Sequence, residues 1–297
     1  MNQKAMNQQT TNHQESVSNL NEEFQNAHGK IPYGMTNDYM FRAVLQTNNK
    51  ALRGLICSLL HLRHEDVLSV EITNPIILGE SIEDKEFLLD ININMNNNTL
   101  INLEMQMTDK LVWPDRSISY LCRSLDMLIH GQEYQELKPV IHIGFLNYTL
   151  FDDYPEFYAT YKLMNVKNHH IYSDKLTLSV IDLSQIELAT DEDREYHVDY
   201  WAKLFKATTW EEIRMLAAKD QYIDEASKSI FQLSAEEQIS KRCFDRMIYY
   251  REKRFYEKTI EEQKAELADK DTEIANKDAH IQALLSEIES LKAAVRK

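Results

Sequence analysis

Apolar and polar residues alternate along 85–107, with the period of two that a half-buried β-strand produces. The alternation is interrupted by three asparagines at 96–98, and asparagine tolerates the left-handed backbone angles of a tight turn. The stretch is therefore predicted to form a β-hairpin with one apolar face and one face of polar and acidic side chains.

The alternation also predicts how the two strands pair. If Met95 faces Thr99, the apolar residues of both strands share one face, whereas a slip by one residue would mix the faces. This register places Asp90 opposite Glu104. Two carboxylates about 5 Å apart repel by roughly 3 kcal/mol at an effective dielectric constant near 20. Either the face is an ordinary solvated one, where water and a cationic side chain screen that repulsion, or the pair binds a divalent cation such as Mg²⁺ or Mn²⁺.

Strand and helix patterns continue on both sides of the hairpin. Segments rich in apolar and β-branched residues predict four further strands, at 67–73, 140–151, 157–165 and 176–183. Apolar residues at helical spacing predict six helices, near 37–45, 49–62, 114–130, 191–207, 210–219 and 222–232. The mixture predicts an α/β fold, followed after residue 190 by a helical segment that is either a cap on the core or a small domain of its own.

The two ends of the chain differ from this core. Residues 1–30 are rich in Asn, Gln, Ser and Glu, which predicts a disordered tail. Residues 234–297 contain neither Pro nor Gly and are predicted to form one long helix. Aliphatic residues recur every seven positions from Ile260 to Val295, the spacing of a coiled-coil seam, so we expect a homodimer.

Composition narrows the choice of partners and compartment. The chain has 297 residues, of which 43% are hydrophobic, enough for a sizeable core. No apolar run reaches the length of a membrane span or has the pattern of a secretion signal, so we expect no membrane contact and a cytoplasmic location. The formal charge of −15 argues against broad affinity for nucleic acid, but it leaves room for a cleft with a metal and a few local cations.

Several short motifs occur in the order found in one known family. They are Asn37 to Arg42; Lys85 with Leu88 to Ile91; Asn102 to Gln106; Arg116 with Tyr120; and Gly131 to Tyr134 followed by Leu137 to Ile141. Their ordered succession resembles the PD-(D/E)XK nuclease family transposases, also called Rpn or recombination-promoting nucleases. The resemblance runs from about residue 37 to at least residue 150, and more loosely to about residue 207.

This resemblance implies a fold, a domain organisation and an activity. Residues 31–190 would form a restriction-endonuclease-like core, in which helices flank a mixed sheet. Residues 191–233 would form a helical cap on it, and residues 234–297 the long coiled-coil helix. The implied activity is metal-dependent, endonucleolytic hydrolysis of DNA phosphodiester bonds.

At the matching positions, the resemblance implies that Asp90 and Glu104 coordinate Mg²⁺ or Mn²⁺. The backbone carbonyl of Met105 would add an oxygen ligand. Asp38 would either approach the metal as a third acid or only stabilise the first turn of its helix. Gln106 stands where many members of the wider fold have Lys. An amide can orient water or a phosphate oxygen, but it supplies neither positive charge nor a general base.

Three residues are expected to contact DNA under this interpretation. Arg116 and Tyr120 lie four residues apart on one face of the predicted helix 114–130, where they either meet phosphates beside the metal or form only a surface stripe. Lys85 either assists the two acids electrostatically or keeps the strand edge soluble. The competing interpretation of the whole chain is an inactive nuclease-fold scaffold that acts through oligomerisation and partner binding, which the acidic charge and Gln106 both allow.

Overall fold

The computed structural model describes residues 19–76, 78, 90–108, 112–125 and 133–295, except the side chains of residues 289 and 293–295. Lys85 and the first residues of the predicted hairpin lie outside these ranges. So does the predicted end of the helix at 114–130.

A six-stranded mixed sheet forms the centre of the fold. Its strands are β1 (Val70–Ile72), β2 (Ile91–Met95), β3 (Thr99–Gln106), β4 (Val140–Leu146), β5 (Tyr158–Lys162) and β6 (Leu176–Asp182). They lie in the order β1-β2-β3-β4-β6-β5. β3 pairs with β4 and β4 with β6 in parallel, and the other neighbours are antiparallel. The parallel pairs thus occupy the middle of the sheet, as is usual for strands covered on both faces.

β2 and β3 form the predicted hairpin, and the predicted register is confirmed. Met95 pairs with Thr99, and Ile91 pairs with Leu103. Asn96 and Asn97 have φ values of 51° and 55°, the left-handed region that asparagine tolerates. One feature differs from the prediction, because β3 is buried on its polar face as well as on its apolar face. Its central place in the sheet accounts for this, since helices cover both sides of a central strand.

Helices cover both faces of the sheet. They are α1 (19–26), α2 (Asp38–Thr47), α3 (Asn49–Leu59), α4 (Trp113–Leu125), α5 (Asp191–Glu195), α6 (Val198–Lys206), α7 (Trp210–Ala217), α8 (Gln221–Ala235) and α9 (Glu237–Val295). On one face, Trp113 of α4 packs with Leu146 and Val180 of the sheet. On the other face, α2, α3, α6, α7 and α8 bury the larger core.

Three phenylalanines join the helical segment after residue 190 to the sheet. Phe41 of α2, Phe145 of β4 and Phe205 of α6 pack edge to face, with ring centroids 5.1–5.6 Å apart. Such contacts contribute beyond the apolar area that they bury. The helices α5 to α8 therefore share one compact unit with the sheet, and this unit extends to Arg246. A second unit begins at Met247.

The disordered tail predicted over residues 1–30 includes residues that are ordered in the structure. Residues 19–26 form the helix α1, and Phe24 is fully buried. Its ring lies 6.4 Å from that of Trp210 and 5.6 Å from that of Phe231. A single aromatic residue in polar sequence has no periodicity to reveal a helix, so this element depends on partners about 200 residues away.

The helix predicted over 191–207 is divided in two. Thr190 and Asp193 form a capping box that starts α5, and the chain then turns at His197, whose φ is 59°. The His197 ring is held 2.9 Å from the Asp220 carboxylate and stacks on Tyr200. These tertiary contacts interrupt a pattern that locally reads as one helix.

The close contact between α4 and β4 leads to a stability prediction. A Cβ atom added at Gly144 would lie 2.1 Å from Cζ2 of Trp113, so Gly144→Ala must displace the buried indole ring. We expect a loss of about 1–3 kcal/mol in the free energy of unfolding, measured by urea denaturation. The control is the same change in a Trp113→Leu background, where the added methyl should cost less. Equal costs in both backgrounds would contradict this explanation.

Candidate active site

The hairpin brings Asp90 and Glu104 together at one end of the β2–β3 pair. Asp90 directly precedes Ile91, and Glu104 directly follows Leu103, which is the partner of Ile91. Both acids are buried, with 5% and 3% of their surface exposed. The Asp90 charge is close enough to raise the pKa of Glu104. The two acids therefore form one buried, mutually repelling pair.

Burial is the main cause of the electrostatic state of this pair. Desolvation raises the pKa of Asp90 and that of Glu104 far above the ordinary values of these groups. Arg116 opposes the shift in both cases, because its positive charge favours ionised carboxylates. The pair therefore holds protons at pH values where an exposed Asp or Glu would be fully ionised.

Helix α4 supplies the cation that faces the acids. Nη2 of Arg116 lies 2.7 Å from Oε1 of Glu104, and 16% of the Arg116 side chain is exposed. Its guanidinium group also lies over the Tyr120 ring, 5.5 Å from the centroid. The Tyr120 hydroxyl lies beside Asp90 and favours the ionised carboxylate. The predicted pair of residues four positions apart on α4 is thus directed at the acids.

Asp90 is anchored through its backbone by two residues that were not predicted to be functional. The guanidinium group of Arg42, which is fully buried in α2, donates hydrogen bonds to the carbonyl oxygens of Asp90 and Asn74. Asn74 Nδ2 donates to the same Asp90 oxygen at 2.9 Å, and Asn74 Oδ1 accepts from the Asn92 amide. Burial lowers the pKa of Arg42 to about 10, so it remains cationic at neutral pH.

His142 of β4 closes the site from the side of the sheet. Its imidazole stacks between Trp113 and Tyr120, with centroid distances of 5.5 and 5.8 Å. Nε2 lies 3.9 Å from Oε2 of Glu104, too far for a hydrogen bond. Burial lowers the pKa of His142 to about 3, so the ring is neutral and adds no charge to the acids.

Gln106 and Met105 follow Glu104 on β3 and point to opposite faces. Gln106 lies on the Glu104 side and is 4% exposed, and its Nε2 donates to the Thr108 carbonyl oxygen at 2.7 Å. The Met105 side chain is buried in the larger core, so only its backbone is available as a ligand. Lys85 lies outside the described residues.

Asp38 is the first residue of α2, but Asn37 caps the helix. Asn37 Oδ1 accepts from two amides of the first turn, and its Nδ2 donates to the Cys243 carbonyl oxygen at 2.8 Å. The Asp38 carboxylate is 4% exposed and is bound by the guanidinium group of Arg246, with Nε 3.0 Å from Oδ1. Asp38 also raises the pKa of Asp90, so all three acids share one electrostatic environment.

The donor atoms of the pair fit a hard divalent cation. Oδ2 of Asp90 and Oε2 of Glu104 are buried and accept no hydrogen bond from the described residues. Unsatisfied carboxylate oxygens of this kind are the ligands that Mg²⁺ and Mn²⁺ prefer. In the described part of the chain, no group of three or more His, Cys, Asp or Glu side chains is arranged to hold a metal. A cation would therefore depend on these two acids, with backbone and water oxygens completing its shell.

A mixed sheet with two buried acids on neighbouring strands and a cationic helix beside them defines an α/β protein with a nuclease-like site. The comparison with known families agrees. The family model of the PD-(D/E)XK nuclease family transposases matches residues 35–269, so the chain belongs to that family. PD-(D/E)XK nucleases generally use divalent metals. No curated protein and no solved structure shows significant similarity to the chain.

Sequence reasoning missed three residues that the structure places around the acids. Arg42 had a signal, because it is a charged residue among the apolar positions of α2. Asn74 stood out only as the residue before Pro75. Arg246 had no signal, since it meets Asp38 across 208 positions of sequence.

Proposed function

We propose that this protein is a Mg²⁺- or Mn²⁺-dependent DNA endonuclease of the recombination-promoting type, which hydrolyses phosphodiester bonds. The observation that carries the proposal is the buried Asp90–Glu104 pair, in which Oδ2 of Asp90 and Oε2 of Glu104 accept no hydrogen bond from the described residues. Two buried acids with raised pKa values destabilise a fold unless they serve a ligand, and family membership supports a divalent metal as that ligand.

Each residue of the site then has a definite task. Asp90 and Glu104 would hold the cation, with the Met105 carbonyl oxygen as a further ligand. When bound, the cation would act as a Lewis acid on the phosphate and lower the pKa of a water molecule. Gln106 orients the attacking water or a phosphate oxygen through its amide. His142 and Trp113 exclude bulk water from the sheet side of the pair.

Arg116 changes partners in this proposal. Without a cation it balances the charge of Glu104, at 2.7 Å. With a cation bound to that carboxylate, the planar donors of the guanidinium group would suit a phosphate oxygen. Tyr120 supports the guanidinium group from below, since the ring lies 5.5 Å from it. Both residues thus retain their predicted role in DNA contact.

The direct test is cleavage of supercoiled plasmid by the full chain. We expect nicked and then linear product with Mg²⁺ or Mn²⁺, and none with a chelator. A protein that leaves the plasmid intact under all metal conditions is not the proposed endonuclease.

A second function, an inactive scaffold, is favoured by one observation. Glu104 and Asp38 are both already paired with arginines, and Gln106 is bonded to Thr108, so the site is balanced without a metal. Calorimetric titration with Mg²⁺ or Mn²⁺ separates the two functions. An endonuclease should bind one or two ions, and Asp90→Asn should abolish that binding. A scaffold should bind no ion at this site.

The raised pKa values predict how metal binding depends on pH. A cation binds the ionised carboxylates, so protons held by the pair must leave on binding. Affinity should therefore rise with pH through neutrality, by about tenfold per pH unit for each proton released. Calorimetry in two buffers of different ionisation enthalpy measures that release. Affinity that is constant across this range would contradict the raised pKa values.

We also propose that the protein is a cytoplasmic homodimer held by α9. No helix within the described ranges is both long and apolar enough to cross a membrane. The heptad positions of α9 are exposed, at 51% for Ile281 and 46% for Ile288. Repeated aliphatic residues on an otherwise polar helix fit a seam against a second copy.

Substitutions in this seam test the dimer. The double change Ile281→Asp and Ile288→Asp places charges in the seam, so light scattering should show the mass of a monomer instead of a dimer. The matched control, Gln282→Asp with Ser286→Asp, adds the same charge to other faces of α9 and should leave the mass unchanged. A wild-type monomer would contradict the proposal.

A further inference from the structure

One face of α9 carries positive charge in an otherwise acidic protein. Met247, Arg251, Arg254, Phe255 and Lys258 are spaced by three, four or seven residues, so they lie on one side of the helix. All five are exposed, including 43% of Met247 and 67% of Phe255. We call this set the basic stripe. It lies within the second compact unit, which begins at Met247.

Between Met247 and Lys258 this face contains no acid, and Glu261 and Glu262 continue the face one turn beyond Lys258. The acids of the same segment, Glu252 and Glu257, lie roughly 100° around the helix from the centre of the stripe. The whole chain has a formal charge of −15, so residues 247–258, whose stripe carries three cations and no acid, run against its overall balance. Such a face fits a polyanionic partner.

The coiled-coil seam leaves this face open. Lys258 lies two residues before Ile260, the first position of the seam, and two residues turn a helix by about 200°. The basic stripe and the seam therefore lie on nearly opposite sides of α9. A second copy packed on the seam would not cover the stripe.

The cations of the stripe are not committed to strong contacts within α9. Arg254 Nε donates to the Tyr250 carbonyl oxygen at 3.3 Å, which leaves its terminal nitrogens for other acceptors. Lys258 Nζ lies 3.6 Å from Glu262, and both side chains are more than 60% exposed. An ion pair this open to water is weak and is easily exchanged for a phosphate.

We propose that the basic stripe binds the phosphate backbone of duplex DNA, the substrate class of the proposed endonuclease on which this inference rests. Arg251, Arg254 and Lys258 span two turns, roughly 10 Å, which corresponds to about three base pairs of duplex. Arginine and lysine neutralise phosphates and release condensed counterions. Phe255 and Met247 supply apolar contact beside the sugars.

The test uses the full chain with Asp90→Asn, so that DNA is bound without cleavage. In this background, Arg251→Gln, Arg254→Gln and Lys258→Gln are combined, and binding of a short labelled duplex is followed by fluorescence anisotropy at several salt concentrations in a chelator. We expect affinity to fall by about tenfold or more at moderate salt. The slope of log K against log salt should shrink by about 2–3, since each phosphate contact contributes about 0.9.

The matched control removes three exposed cations of α9 that lie outside both the stripe and the seam: Lys241→Gln, Lys264→Gln and Lys292→Gln. These lysines are spread over roughly 75 Å of helix, so affinity and slope should change little. Light scattering checks that neither variant changes the oligomeric state.

The outcomes separate this inference from the proposed function. If the parent binds duplex but the stripe variant has the same affinity and slope, the stripe inference is wrong and the endonuclease proposal stands. Equal losses in the stripe and control variants would show general electrostatics and also overturn the inference. The same measurement is made with a labelled RNA. A stripe variant whose affinity falls for RNA but not for duplex DNA would assign the stripe to RNA and overturn the inference. A parent that binds no duplex would remove the proposed function itself.

Discussion

Asp90→Asn is expected to abolish plasmid cleavage while making the protein more stable. Loss of one of the two proposed carboxylate ligands should lower the cleavage rate by about 1,000-fold or more, equivalent to about 4 kcal/mol of transition-state stabilisation. Glu104→Gln should have the same effect, because no third acid among the described residues is arranged to replace it. The measurements are plasmid cleavage with Mg²⁺ and urea denaturation at several pH values.

The gain in stability follows from the direction of the pKa shift. The folded pKa of Asp90 lies above its ordinary value, so the unfolded chain binds fewer protons between those two pH values. Wild-type stability therefore falls as pH rises through this window, and asparagine removes that loss. Above this pH window, the free energy of unfolding of the variant should exceed that of the wild type by more than about 1.4 kcal/mol, because each unit by which the folded pKa is raised corresponds to about 1.4 kcal/mol.

Glu71→Gln provides a control for this prediction. Glu71 is an exposed acid on β1, so this change should alter activity and stability little. A less stable Asp90→Asn protein would show that the carboxylate contributes to folding through contacts. Cleavage that survives Asp90→Asn and Glu104→Gln would remove this pair from the active site.

Arg42→Met is expected to cost about 3–5 kcal/mol of unfolding free energy. The methionine fills much of the volume, but it leaves the Asn74 carbonyl oxygen without its arginine donor and removes one of two donors to the Asp90 carbonyl oxygen. In protein that still folds, metal affinity should fall by about 10- to 100-fold, as for other changes behind a metal ligand. Urea denaturation and calorimetric metal titration measure the two effects.

Two further variants make the Arg42 prediction specific. Arg42→Lys retains the charge but not the forked donors, so its loss of stability should be intermediate. Arg63→Met alters an arginine whose side chain is 70% exposed and should change stability by less than about 0.5 kcal/mol. Wild-type metal affinity in Arg42→Met would mean that the backbone anchor does not position Asp90.

Much of the sheet and part of the site could be predicted because their signals are local. The alternation along the hairpin specifies which residues face the core, and this set the pairing of Ile91 with Leu103. The position of Asp90 beside Glu104 follows from that register without any tertiary information. Arg116 and Tyr120 share a helix face for the same kind of reason, since a helix returns to one side every three or four residues.

Other parts of the site depend on residues that are far apart in sequence. The bond between Asp38 and Arg246, the anchoring of Asp90 by Arg42 and the burial of Phe24 under Trp210 leave no periodic trace. The energy of these contacts depends on the removal of water from the groups, and water is removed only when the chain has packed.

The sequence by itself determined the six strands, the register of the hairpin and the long α9 helix, because each of these follows from the spacing of apolar residues that are near one another in the chain. The tertiary structure decided the chemical state of the site. It buried Asp90 and Glu104, raised their pKa values and placed Arg116 against them. A carboxylate pair has no such properties in an extended chain, since water screens its charges until the sheet and α4 exclude it.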